Sequence, residues 1–124
     1  MHELGIMTGV CEAVTKAAVD AGATKVYNVT LSVGEMTEAI EDALVFAFEV
    51  LQESNPLLEG CQLTINMVKP RSLCFDCGAE YEHDRFHMLC PHCGSAVTKL
   101  LAGRELQIDS LEAEIPDEED SHAD

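Results

Sequence analysis

Two pairs of cysteines constrain this chain more than anything else in it. The first reads Cys74-Phe-Asp-Cys77 and the second Cys90-Pro-His-Cys93, with twelve residues between them. A Cys-x-x-Cys turn presents two thiolates from one tight loop. That is the reach needed for adjacent corners of a tetrahedron with metal–sulfur bonds of ~2.3 Å. Gly78 and Gly94 follow the pairs directly, where the backbone must curl over its own sulfurs with positive φ. The intervening loop is short for such a site but long enough for a small hairpin on each side. The spacing predicts a structural zinc ribbon held by Cys74, Cys77, Cys90 and Cys93. Two redox dithiols are the weaker alternative, because neither pair opens a helical pattern as a thioredoxin-like motif does. Two disulfides would suit a secreted chain, and no basic stretch followed by an apolar one marks the start of this one.

The remaining composition narrows the possibilities further. A length of 124 residues suffices for one small core domain plus a satellite module. There is no Trp, and Phe and Tyr together number six, so aliphatic side chains must fill the core. No apolar run approaches the ~20 residues of a membrane span. Together with six cysteines and no export signal, this leads us to expect a cytoplasmic protein. The net charge of −16 argues against nucleic acid, since phosphates would be repelled over most of the surface. The ribbon is no local exception: Arg71, Arg85 and Lys99 stand against Asp76, Glu80, Glu82 and Asp84. An acidic surface suits basic protein partners and cations.

Residues 1–21 read as an amphipathic helix, with Leu4, Met7, Val10, Cys11, Val14, Ala17, Ala18 and Ala21 recurring at steps of three and four. Gly22 is its stop. Gly5 and Gly9 weaken the first turns by ~1 kcal/mol each relative to Ala, so the helix start should fray. Residues 25–33 read as a strand with Tyr27, Val29, Leu31 and Val33 on one face. Thr37 is placed to cap a second helix running through Ser54. Its stripe is Ile40, Ala43, Leu44, Ala47, Phe48 and Leu51, with Phe46 off that line; Asn55-Pro56 ends it. Residues 61–68 and 104–115 read as further strands, the latter with a bulge near Asp109-Ser110. Cys11 and Cys61 fall on apolar stripes and read as buried, inert thiols.

The expected fold class is α+β, with two helices packed on one face of a mixed three-stranded sheet and an inserted zinc-ribbon module. Residues 1–69 and 101–115 would form the α/β domain and residues 70–100 the ribbon, with Pro70 and Gly103 as pivots. Residues 116–124, rich in acids, read as a disordered tail.

The chain begins Met1-His2-Glu3. Most histidines at such a place do nothing, but the geometry here is suggestive. An α-amine, the next backbone nitrogen and a His2 ring nitrogen can bind one metal together. Amine and amide close a five-membered ring; amide and Nδ1 close a six-membered one. Three nitrogens in a plane suit Ni(II) or Cu(II) better than tetrahedral zinc. At a helix start the His2 amide proton has no intrahelical acceptor to lose. Glu3 offsets the helix dipole against a bound cation and could supply a fourth ligand, as could His83, His87 or His92. The site needs a free amine on Met1, which is normally retained before a bulky second residue.

These residues carry a resemblance. The Met1-His2-Glu3 start, the amphipathic first helix, the strand ending Val33-Gly34-Glu35, the Phe46-Ala47-Phe48-Glu49 stretch and the double Cys-x-x-Cys ribbon together are similar to the HypA/HybF family. Members are nickel metallochaperones for maturation of [NiFe]-hydrogenase, and sometimes urease. The likeness covers residues 1–115. It implies nickel on Met1, His2 and Glu3 as cargo, and structural zinc on Cys74, Cys77, Cys90 and Cys93. It also implies partnership with a HypB-type GTPase, delivery to the hydrogenase large subunit precursor and, in some members, work with urease maturation proteins. It implies no enzymatic activity. Two other classes stand beside it. A zinc-ribbon adaptor between proteins would bind no nickel and would tolerate an amino-terminal extension. A metallohydrolase would need an open zinc position, which four cysteines close.

Overall fold

The computed structural model describes residues 2–116; Met1 and residues 117–124, the bulk of the expected acidic tail, lie outside the described residues. The elements run α1 (His2–Asp20), β1 (Lys25–Gly34), α2 (Glu41–Gln52), β2 (Gln62–Val68), β3 (Arg71–Cys74), β4 (Glu80–Glu82), β5 (Thr98–Ala102) and β6 (Leu106–Glu114). Single 3-10 turns lie at Glu35–Thr37 and Pro56–Leu58. The strands form two three-stranded sheets, ordered β2-β1-β6 and β4-β3-β5. The fold is α+β: two helices, a mixed three-stranded sheet and a zinc-ribbon module. The chain divides into two compact units. One gathers the residues up to Leu31, Ile40–Thr64 and the chain from Ile108; the other gathers Ser32–Ala39 and Ile65–Gln107.

In the first unit α1 packs on α2. The buried line of α1 is Glu3, Met7, Cys11, Val14 and Ala18. Leu4, expected in that line, is exposed, and a carboxylate takes its place. The helix ends as its sequence requires. Gly22 has φ 78°; its N–H donates to Val19 C=O at 3.0 Å while Ala23 N–H donates to Ala18 C=O at 2.8 Å. This is the Schellman arrangement, in which glycine accepts the left-handed backbone that other residues resist. From α2, Leu44, Ala47 and Phe48 are buried; from β1, Val26, Val29 and Leu31. Tyr27 was expected inward but is exposed, and its hydroxyl donates to the Glu114 carboxylate. A buried phenol needs a partner, and Glu114 offers one at the surface.

The second helix departs from its expected start. Thr37 does not cap it. Its hydroxyl donates to Gly34 C=O at 2.8 Å and accepts from Ala39 N–H at 3.2 Å, which closes a turn. Glu38 then takes φ 64°, the left-handed region, and breaks any helix there. Ile40 is the N-cap residue, extended at φ −93°, ψ 124° and without a side-chain cap of its own. It lies outside the helix and is exposed, against the expectation of burial.

In the second unit β3 pairs antiparallel with both β4 and β5, Ser72 lying opposite Tyr81 on one side and Leu100 on the other. The expected pivots are tightly packed. Pro70 is fully buried. A Cβ added to Gly103 would lie 2.8 Å from Pro70 Cα, and one added to Gly34 would lie 2.0 Å from Gly103 O. These backbones cross in contact, which only glycine permits. In β6, Ile108, Leu111 and Ala113 are half-buried. The step of three between the first two is the change of phase expected at Asp109-Ser110.

Candidate metal centre

The two cysteine turns of the second unit are built alike. Gly78 N–H donates to Cys74 C=O and Gly94 N–H to Cys90 C=O, both at 2.8 Å. Both glycines have positive φ, 76° and 77°. Cys74 N–H donates to Ala79 C=O at 2.9 Å and Cys90 N–H to Ser95 C=O at 3.0 Å. Each turn thus holds its sulfurs on one side, as the glycine spacing anticipated.

The four sulfurs lie within 4.8 Å of one another. Cys74–Cys93 and Cys77–Cys90 are separated by 3.6 Å. A tetrahedron with metal–sulfur bonds of ~2.3 Å has edges of about 3.8 Å, so the donor set fits a closed four-thiolate centre. All six cysteines are free thiols, and the four gathered sulfurs stand at non-bonded distances. Cys74 and Cys90 are buried, Cys77 and Cys93 exposed. Tyr81 packs with Cys74 and Cys90 as a small core and donates to Met88 C=O at 3.0 Å.

Electrostatics agree with the geometry. Burial opposes ionisation of Cys90, but the N–H groups of Cys93 and His92 and the neighbouring sulfurs bring it down to about 6. The N–H of Ala79 favours the Cys77 thiolate and that of Ser95 the Cys93 thiolate. The adjoining thiols outweigh both, raising Cys77 and pushing Cys93 up to about 12. Crowded sulfurs resist taking several negative charges at once. A central divalent cation reverses that penalty, and the N–H groups are already aimed to stabilise the thiolates.

At the amino-terminal end of α1 the structure describes two of the three expected nickel residues, Met1 lying outside the described range. The His2 side chain is 55% exposed, and its Nδ1 lies 3.9 Å from Glu3 Oε1. Glu3 is only 6% exposed. Its Oε2 accepts the Ile40 N–H at 3.0 Å. That bond, with Glu3's own N–H, holds the carboxyl down to about 2.

The ribbon histidines differ in what they can offer. His83 Nδ1 faces Asp84 C=O at 2.6 Å and Nε2 faces Ser72 Oγ at 2.8 Å. A carbonyl only accepts, so Nδ1 carries a proton, and Nε2 shares a hydrogen bond with the serine hydroxyl; both nitrogens are engaged within the protein. His87 is exposed with Nδ1 at 2.8 Å from both Asp84 carboxylate oxygens. His92 is exposed on the second turn. Among the described residues, the four cysteines are the one group of three or more His, Cys, Asp or Glu so gathered. Three features were missed in the sequence: the Glu3–Ile40 bond, the Ser72–His83 pair and the Tyr81 core. Only Tyr81 left a signal, an aromatic between the cysteine pairs of a module with little else to bury. In the Ser72–His83 pair Ser72 is buried and the imidazole is oriented by the Asp84 carbonyl.

The sequence matches the family described as HypA, hydrogenase/urease nickel incorporation metallochaperones, over residues 1–113. Hydrogenase maturation factor HypA of Methanococcus maripaludis is 36% identical over 127 aligned positions, covering 96% of this chain and 100% of the relative. Hydrogenase maturation factor HypA of Streptomyces avermitilis is 41% identical over 113, covering 90% and 86%. The solution structure of the Ni metallochaperone HypA from Helicobacter pylori superposes with a TM-score of 0.66 at 23% identity, covering 92% of this chain and 98% of that one. At that identity the likeness shows a shared fold. No described helix is long and apolar enough to cross a membrane.

Proposed function

The chain belongs to the HypA family of hydrogenase and urease nickel-incorporation metallochaperones, and from that premise we propose that it carries one Ni(II) on Met1, His2 and Glu3 and delivers it to a [NiFe]-hydrogenase large subunit precursor. Zinc on Cys74, Cys77, Cys90 and Cys93 is structure; nickel is cargo. A HypB-type GTPase is the expected partner in transfer.

The observation that carries this reading is the placement of His2. Its imidazole is exposed in the first turn of α1 with Nδ1 turned toward the Glu3 carboxylate. The α-amine, the His2 amide nitrogen and Nδ1 can then close two fused chelate rings in one plane, which suits Ni(II). The amide lies in the first turn, where backbone N–H groups have no intrahelical acceptor. The Glu3 oxygen facing His2 supplies compensating charge and a further ligand. Such a site is open on one side, so a recipient cysteine can enter the coordination plane and draw the metal off onto thiolate. A four-thiolate zinc centre has no such opening, which keeps the two ions apart in role.

The test is His2→Ala. Tight nickel binding should be lost, with zinc stoichiometry and helix content unchanged. Nickel affinity that survives the substitution rules out the amino-terminal site.

A further inference from the structure

We propose that the cleft between α1 and α2 is a docking groove for an amphipathic helix of another protein, one whose apolar stripe is flanked by Lys and Arg. The groove is about 280 Å³ and is lined by Glu3 and Leu4 of α1 and Ala43, Phe46, Ala47 and Val50 of α2. A surface helix needs one apolar stripe. On α2, Leu44, Ala47 and Phe48 are buried, while Ala43, Phe46 and Val50, with Ala47 shared, form a second line at i, i+3, i+4 and i+7. Phe46 is 67% exposed, Val50 45% and Leu4 42%. Large apolar side chains held at the lip of a groove cost solvation and add nothing to the core. They are the anchors by which grooves take up the i, i+4 side chains of a partner helix.

Charge selects the occupant. Glu41, Asp42, Glu49 and Glu53 are exposed along and just past α2. No Lys or Arg occurs anywhere between Lys25 and Lys69. α2, which lines the groove, thus carries exposed carboxylates and no Lys or Arg of its own, and a helix with basic flanks is steered to it. A second copy of this chain would set the same acids against each other at a net charge of −16 per chain, and an anionic lipid surface would be repelled. Glu3 is common to the groove and to the proposed nickel site, but docking needs no metal, so its failure in the absence of nickel would leave the nickel reading standing.

The experiment is an NMR titration of the full chain with zinc bound and no nickel. Three synthetic helical peptides serve as probes: Leu/Lys, Leu/Glu in the same pattern, and Ala/Lys without large apolar residues. The Leu/Lys peptide should shift the amides of Leu4, Ala43, Phe46 and Val50, and weaken as salt rises. Phe46→Ser should reduce its affinity about tenfold, the scale of an anchor truncation, with the thermal midpoint kept because Phe46 lies outside the core. Glu49→Lys with Glu53→Lys gives a second variant and should weaken binding by steering alone. The proposal is overturned by equal binding of Leu/Glu, by equal binding of Ala/Lys, or by shifts elsewhere on the molecule. It is also overturned if these same amides shift with protein concentration alone and Phe46→Ser abolishes that, which would make the occupant a second copy.

Discussion

The carboxylate of Glu3 on α1 accepts the backbone N–H of Ile40, the N-cap residue of α2, at 3.0 Å. α2 brings no side-chain cap of its own, so the third residue of the chain supplies one from 37 positions upstream. The first turn of each helix is tied to the other through one side chain. The proposed nickel site uses the other carboxylate oxygen, Oε1, which faces His2, so the bond from Ile40 to Oε2 can persist with the metal bound.

The Glu3–Ile40 bond has a definite pH dependence. The Glu3 carboxyl is held down to about 2 from an ordinary 4.5, first by the Ile40 N–H. A carboxylate whose pKa is lower in the folded state stabilises it above the unfolded value and loses that effect as pH falls through the folded one. The difference in thermal midpoint between the native chain and Glu3→Gln should thus be full above about pH 4.5 and close as pH falls toward about 2, the two values cited. Circular dichroism melts across this range read it directly. A gap that stays constant with pH would mean that the charge of Glu3 is not what caps α2.

Two glycines should respond in opposite directions. Gly34→Ala puts a Cβ 2.0 Å from Gly103 O, and backbone atoms on both sides cannot swing aside. A loss of about 3 kcal/mol or more is expected, the upper range for overpacking. Gly9→Ala meets nothing within 4 Å. It should gain ~1 kcal/mol from helix propensity. Denaturant midpoints of the two variants check both signs.

Thiol chemistry should separate the cysteines into two classes. Chelating the zinc should free Cys74, Cys77, Cys90 and Cys93 for a thiol reagent, while Cys11 and Cys61 stay slow. Burial raises Cys11, and burial with Cys11 nearby pushes Cys61 up to about 11. The far-ultraviolet helix signal should persist through chelation, because α1 and α2 carry none of the four ligands. Six thiols reacting together would show that zinc holds the whole chain and not the ribbon alone.

What could be read from the sequence follows from how local each cause is. The cysteine turns were legible because each is complete within five residues, glycine included. The helix stop at Gly22 and the strands β1, β2 and β6 were legible from periodicity within a residue or two. The start of α2 was not. Thr37 has the right side chain for a cap, but the left-handed Glu38 and the Glu3 carboxylate decide where the helix begins, and one of these is far away in sequence. Glu3 itself hid in plain view: a charge in an apolar line reads as surface until its N–H partner is known. Tyr27 broke the parity of β1 because Glu114, distant along the chain, offered its hydroxyl a partner at the surface. The packing of Gly34 on Gly103 likewise joins residues that no local pattern connects.

The central claim is that nickel rides on the first nitrogens of the chain while sulfur keeps zinc, and blocking those nitrogens tests it most directly. The native protein and a form with a few residues fused ahead of Met1 should be titrated with Ni(II) beside each other, with zinc content measured in both. The account predicts one planar nickel site in the native protein, none in the extended form and one zinc in each. Equal nickel affinity in the two forms would contradict it.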